Sequence, residues 1–206
     1  MEALAKLERV QTRLLKRLSN LESSLLSQHF SQNLSLSTSS TTKDRLSGIL
    51  RANGVVDFSF KRVPSDYYDW PLESRRDIVS AASIQHLCKS IVLSSFHVIM
   101  QYAARFNAEA VKNFPYTLNE SKIAKKKFNM RLAPEETSVK LIGYEHNAVT
   151  CIGMKTNIPV ILDEAITKLN PDFFWFGGGE IDLKLGIRTS EFINFLNPFI
   201  VNCSSG

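Results

Sequence analysis

The sequence predicts an α+β domain built on a curled mixed β-sheet or partial barrel with flanking helices. Three observations carry this. Val149–Ile152, Ile158–Leu162 and Phe173–Leu185 are rich in β-formers and are cut by glycine, proline and Asn-Pro punctuation. The run Phe173 to Phe176 is apolar on both strand faces and should be covered on both, whereas Ile181, Leu183 and Leu185 alternate with Asp182 and Lys184 and should leave one face wet. The strands are interrupted by helical stretches without regular βαβ spacing, which gives an α+β rather than an alternating architecture. Gly177 to Gly179 join the two halves of the last β segment. They permit a bulge or bend, and they leave backbone N–H groups uncovered that can hold a carbonyl or carboxylate.

In chain order, Leu4, Leu7, Leu14, Leu18, Leu21 and Leu25 fall on a 3-4 repeat with Gln11 at its one polar position. Residues 1–30 therefore read as an amphipathic, coiled-coil-like helix that needs a partner surface: another copy, another protein, or the domain itself. Residues 31–42 are serine- and threonine-rich and read as a flexible linker to a folded domain over 43–206. Asp44 is placed to cap a short helix through Leu46, Ile49 and Leu50, and Val55–Phe60 has strand character. Pro64–Leu72, rich in tyrosine, tryptophan and proline, reads as a lid or packed surface loop. Arg75–Leu87 predicts a helix turning Ile78, Ala82 and Leu87 inward. Lys89–Leu93 and His97–Tyr102 then read as antiparallel neighbours. Asn107 caps a helix expected to stop before Pro115. Pro134, Glu135 and Glu136 open another helix that Gly143 closes, and Thr189 or Ser190 begins a last one, with Phe192, Phe195 and Leu196 on one face, that Pro198 ends.

Composition narrows the chemistry. The 206 residues are 44% hydrophobic, enough for one well-buried domain plus an appendage. A formal charge of +5 and a pI near 9.1 favour an acidic partner, of which nucleic acid is the commonest. Lys122, Lys125, Lys126, Lys127 and Arg131 form a basic run that is either a solvated loop or a phosphate-backbone contact. Cys88, Cys151 and Cys203 have no CxxC spacing, which argues against a structural zinc site and a disulfide scaffold. Neither a phosphate-binding loop nor a dinucleotide fingerprint is present, so no metal and no cofactor are expected. The first residues carry no apolar export core and no stretch is long enough to span a bilayer, which makes the cytoplasm the expected location and a membrane an unexpected partner.

Among ionisable residues Lys89 stands out. It lies between a helix and the apolar strand Ile91–Leu93, from which it either snorkels to water or enters a cleft to hold a carboxylate, a phosphate or a developing oxyanion. Gly153 and Pro159 bracket a loop that can bring backbone N–H groups to the same cleft. Cys151 follows His146 by five residues, a spacing that identifies no Cys–His pair and leaves an inert buried thiol as the alternative. Asp163 and Glu164 can act on water or simply face solvent.

The segments CKSIVL (with Lys89), GYEHNAVTCIG (Gly143 to Gly153), IPVILDE (Pro159 and Asp163) and WFGGGEIDLKL (Gly178 and Gly179) resemble, in order and spacing, the YbaK/prolyl-tRNA synthetase-associated domain family over Leu72 to Pro198. That family comprises freestanding aminoacyl-tRNA deacylases and an editing insertion of bacterial prolyl-tRNA synthetases. The resemblance implies a pocket that hydrolyses the ester between a wrong amino acid and the tRNA terminus, expected here to be alanyl- or cysteinyl-tRNA(Pro). It assigns catalysis to Lys89 with backbone donors near Gly153 and Gly178, attack by water or a substrate group rather than a protein nucleophile, and substrate contacts to Thr150, Cys151, Pro159, Asp163, Gly179 and Lys125 to Lys127. Gly153 and Pro159 match the family's Gly-x-x-x-Pro loop loosely, with five residues between them. Many bacterial members have Ser-Pro at Thr150–Cys151 and paired glycines at Asn147–Ala148. The expected partners are mischarged tRNA and, through residues 4–25, a synthetase or multi-synthetase assembly or a second copy. The alternatives are a noncatalytic tRNA- or synthetase-binding module and a helix-organised scaffold.

Overall fold

The computed structural model describes residues 41–118 and 131–205, which belong to one unit starting at Thr41. The leucine repeat, the serine/threonine stretch to residue 40 and Lys122 to Lys127 lie outside the described residues. Helix α1 (Thr42–Ala52) is capped by Thr41 rather than Asp44: the Thr41 hydroxyl accepts from the Asp44 amide and donates to the Asp44 carboxylate, so Thr42, expected to end the linker, already opens the helix. Then follow β1 (Phe58–Arg62), a 3-10 turn (Tyr67–Asp69), α2 (Leu72–Val79), β2 (Cys88–Val92), β3 (His97–Gln101), β4 (Arg105–Phe106), α3 (Ala108–Leu118), α4 (Glu135–Ile142), β5 (Val160–Asp163), a 3-10 turn (Glu164–Lys168), β6 (Phe173–Gly177), β7 (Leu183–Arg188), α5 (Thr189–Leu196), β8 (Phe199–Val201) and β9 (Ser204–Ser205).

The strands form three sheets among the described residues: β1-β7-β6, all antiparallel; β2-β3-β5-β8, antiparallel then parallel; and the pair β4-β9. The α+β class and the mixed sheet with flanking helices hold, but no sheet is curled or closed towards a barrel. Two local causes explain the difference. Val149–Ile152, expected to be a strand, is loop, so no strand continues one sheet into the other. The three glycines do not bend a sheet; they end β6 and open its hairpin with β7, where the Gly178 amide donates to the Leu183 carbonyl.

The main core lies between the two larger sheets. Phe174, Phe176, Leu185 and Ile187 from one face Ile99 and Leu162 from the other, with Leu46 and Leu50 of α1 and Phe192 of α5 filling in. Phe174, Phe176 and Phe192 pack with ring centroids 5.2 to 5.8 Å apart, and each buried ring contributes roughly 2–3 kcal/mol. The far face of the four-stranded sheet packs Val98, Met100 and Ile161 against Val111 of α3, so β3 is buried on both sides.

Three local expectations are corrected. Helix α2 ends at Val79 because Ser80 turns left-handed (φ 55°) and its amide and that of Ala81 close the last turn; Val79 takes the inward position and Ile78 is exposed. Helix α3 runs through Pro115, the apolar contact of Val111 and Phe114 with the sheet outweighing the one backbone bond a proline removes. Lys184, expected on a wet face, is only 4% exposed, because the Tyr67–Tyr68 turn lies over the outer face of β7.

Candidate functional site

Strand β2 is an edge of its sheet, and its end pairs with the segment before α4, where the Ala133 amide donates to the Val92 carbonyl. Between this pairing and the Leu87–Trp175 bridge to β6 the edge opens into a pocket of about 320 Å3. Lys89, Ser90, Glu135, Ser138, His146 and Val149 are among its walls. Lys89 is half-buried, and burial lowers its pKa from the ordinary lysine value. Its ammonium lies 6.0 Å from the centre of the Tyr102 ring. The Ser90 hydroxyl is buried with no partner among the described residues. A half-buried cation on the wall of an open pocket suits an anionic or ester group.

The roof of this pocket is the loop 144–153, held at several points. Arg45 of α1 donates to the Tyr144 hydroxyl (2.8 Å), which donates to the Ile152 carbonyl (2.6 Å) and closes the loop on itself. The Tyr68 hydroxyl donates to the Asn147 carbonyl (2.6 Å). At Gly177 the Val149 carbonyl oxygen lies 2.1 Å from where a Cβ would be, a separation that no side chain tolerates. Asn147 has φ 63°, a left-handed conformation that glycine and asparagine reach with least strain.

The remaining expected site residues are divided among other places. Cys151, Gly153 and Pro159 line a second cavity of about 270 Å3 with Asn157, Asn197 and Phe199, and Lys89 is not among its walls. Gly153 packs against the Arg45 guanidinium. Cys151 is buried, and burial pushes its thiol far above the ordinary range, which suits an inert thiol and not a nucleophile. Thr150 is buried and accepts from the Ile152 amide (3.4 Å). Gly178 has its amide engaged in the β6–β7 hairpin, and Gly179 (φ 90°) lies against Thr42, Leu46 and Tyr144. Asp163 is wholly buried. One oxygen caps the turn Glu164–Lys168 by accepting from the Ala165 amide (3.4 Å) and the other has no partner among the described residues. Burial first, then the Asp163 charge, pushes the Cys203 thiol up to about 12 and raises that of Cys88.

Sequence reasoning missed the cluster that joins the roof to the sheets. The Lys184 ammonium donates to the Tyr68 hydroxyl and to the Ile181 carbonyl (3.2 Å), and sits 4.2 Å and 4.9 Å from the Tyr68 and Tyr67 ring centres. Arg75 stacks 5.5 Å from the rings of Tyr67 and Tyr102. Burial pushes the Tyr67, Tyr68 and Tyr102 phenols upward. The tyrosine-rich turn was the available signal; the alternation of β7 concealed Lys184.

Residues 116–195, less than half of the chain, match the model of the aminoacyl-tRNA editing domain family. No curated protein sequence matches. Among solved structures, a candidate trans-editing enzyme for prolyl tRNA synthetase superposes with a TM-score of 0.66 at 17% identity, covering 82% of this chain and all of that one. A scaffold protein used for computational epitope grafting gives 0.64 at 14% identity over 81% of this chain and 99% of its own. A hypothetical protein gives 0.62 at 15% identity over 78% and 99%. At these identities the likeness establishes a shared fold.

Proposed function

We propose that the chain is an aminoacyl-tRNA deacylase of the YbaK/prolyl-tRNA synthetase-associated type, hydrolysing mischarged aminoacyl-tRNA in trans, with alanyl- and cysteinyl-tRNA(Pro) as its substrates. The observation that carries this is Lys89: a half-buried cation in a pocket of about 320 Å3, roofed by a loop that falls inside the match to the editing-domain family. A fold shared with a candidate trans-editing enzyme for prolyl tRNA synthetase supports it.

The ester group enters beneath the 144–153 loop with its carbonyl towards Lys89. As water attacks the carbonyl carbon, a neighbouring hydroxyl of the terminal ribose relaying its proton to the leaving ribose oxygen, negative charge grows on the carbonyl oxygen, and the ammonium stabilises it. Because burial already removes water from Lys89, the interaction is stronger than it would be in bulk solvent. The tetrahedral intermediate then expels the ribose oxygen, and the amino acid leaves as its carboxylate. The buried thiol of Cys151 takes no part. Small volume admits alanine- and cysteine-sized groups and rejects larger ones, a sieve rather than a contact code. The same proposal has the basic run Lys125 to Lys127 hold tRNA phosphates, and residues 4–25 recruit a synthetase or a second copy in the cytoplasm.

The test is single-turnover deacylation with tRNAs charged with alanine, cysteine, serine and proline. The parent should release alanine and cysteine but retain proline. Lys89→Ala should slow release at least ~100-fold, about 2.7 kcal/mol of transition-state stabilisation, with unchanged far-UV circular dichroism. A rate within threefold of the parent would remove Lys89 from the mechanism, and tRNA binding without release of any amino acid would mark a noncatalytic module instead.

A further inference from the structure

We propose that Lys184 and Tyr68 are a positioning pair that sets the 144–153 loop over the Lys89 pocket and thereby decides which aminoacyl groups the pocket admits; the selection part rests on the deacylase assignment. Lys184 occupies a strand position facing away from the main core, where an apolar side chain would pack at least as well and would need no partner. It is instead a buried ammonium whose hydrogen-bond acceptors are the Tyr68 hydroxyl and the Ile181 carbonyl, held over the Tyr67 and Tyr68 rings. The other charged and titratable groups facing it are Arg75 and Tyr102, together with Asp182.

Hydrogen-bond direction gives the pair its function. An ammonium only donates, so the Tyr68 oxygen is the acceptor in that bond and its own single hydrogen is left to donate onward. It goes to the Asn147 carbonyl (2.6 Å). The chain of N–H to hydroxyl to carbonyl polarises in one sense, each bond strengthening the next. Asn147 lies between two wall residues of the Lys89 pocket, His146 and Val149. Of the contacts that hold the loop, two pin it beside the pocket wall: this chain at Asn147 and the steric fit of Val149 on Gly177. Without the first pin the loop pivots on the second, and the wall at His146 moves outward. The same cluster reaches Lys89, since Tyr102 lies against the Tyr68 phenol and beneath the Lys89 ammonium.

The experiment uses the full chain with Tyr68→Phe, which removes one oxygen and keeps the ring, with Lys184→Met, and with both. Amide hydrogen exchange over residues 146–152 in the free protein should accelerate about five- to tenfold in Tyr68→Phe, the worth of one hydrogen bond. Lys184→Met should give a similar acceleration, and the double variant no more than the larger single one. The ratio of kcat/KM for alanyl- over prolyl-tRNA should fall about fivefold or more, through gain on the larger ester, with kcat on alanyl-tRNA kept within threefold. If Lys184→Met does not fold, Tyr68→Phe alone decides. Unchanged exchange in Tyr68→Phe overturns the pin, and faster exchange with an unchanged ratio overturns its part in selection. A parent inactive on every ester sinks the deacylase assignment and selection together, while the exchange data still decide whether the pair holds the loop.

Discussion

Mild acid should destabilise this protein through His97. The residue opens β3, is 0% exposed, and shares by strand alternation the face of Ile99 in the main core. Neither ring nitrogen has a hydrogen-bond partner among the described residues, and burial holds its pKa at about 3 instead of the ordinary 6.5. The folded protein therefore keeps His97 neutral down to about pH 3, while the unfolded chain takes up a proton near pH 6.5. Since the unfolded state binds more protons between those values, stability is complete above pH 6.5 and drains as pH falls towards 3. At about 1.4 kcal/mol per unit, the loss is roughly 2 kcal/mol at pH 5 and roughly 3 at pH 4. Carboxylates and other histidines add their own acid dependence, so the contribution is isolated by difference with His97→Leu, which keeps the bulk and removes the ionisable ring. Urea unfolding followed by the fluorescence of Trp70 and Trp175 gives the stabilities. Between pH 7.5 and 5 the parent should lose about 2 kcal/mol more than the variant. Equal losses for both would show that His97 is protonated, or solvated, in the folded protein and would refute the reasoning.

Two more predictions concern stability and join those made for Lys89 and for the Tyr68–Lys184 pair. Gly177→Ala should cost about 1–3 kcal/mol and lower deacylation, because the new methyl displaces the Val149 carbonyl; a thermal midpoint and a single-turnover rate both unchanged would show that the loop is not seated there. Thr41→Ala should cost about 1 kcal/mol and Thr41→Ser a few tenths at most, as the serine hydroxyl still accepts from the Asp44 amide; equal losses in urea unfolding would show that the hydroxyl is not the cap.

Local order was largely legible in the chain. The antiparallel partnership of β2 and β3, the helix from Glu135 to Ile142 and the one from Thr189 to Leu196 followed from alternation, capping and proline placement. Sheet membership was not, because Val149–Ile152 has strand propensity yet stays irregular, its hydrogen bonds going to Tyr144 and Thr150 side chains. Lys89 was legible as a junction residue. The Tyr68–Lys184 contact spans 116 positions, and no periodicity within either segment announces a partner so distant. Alternation along β7 gave Lys184 the correct face but the wrong environment, since what covers that face comes from the turn after β1.

The seat of Val149 on Gly177 separates what the loop is from where it lies. Main chain rests there on main chain. His146, exposed at the pocket rim, is thereby released from any part in folding and can be exchanged at little thermodynamic risk. Asn147 enjoys less liberty, its left-handed backbone restricting it to asparagine or glycine. A designer wishing to alter the occupant of the pocket would begin at position 146, where the chemistry can be rewritten while the architecture stays still.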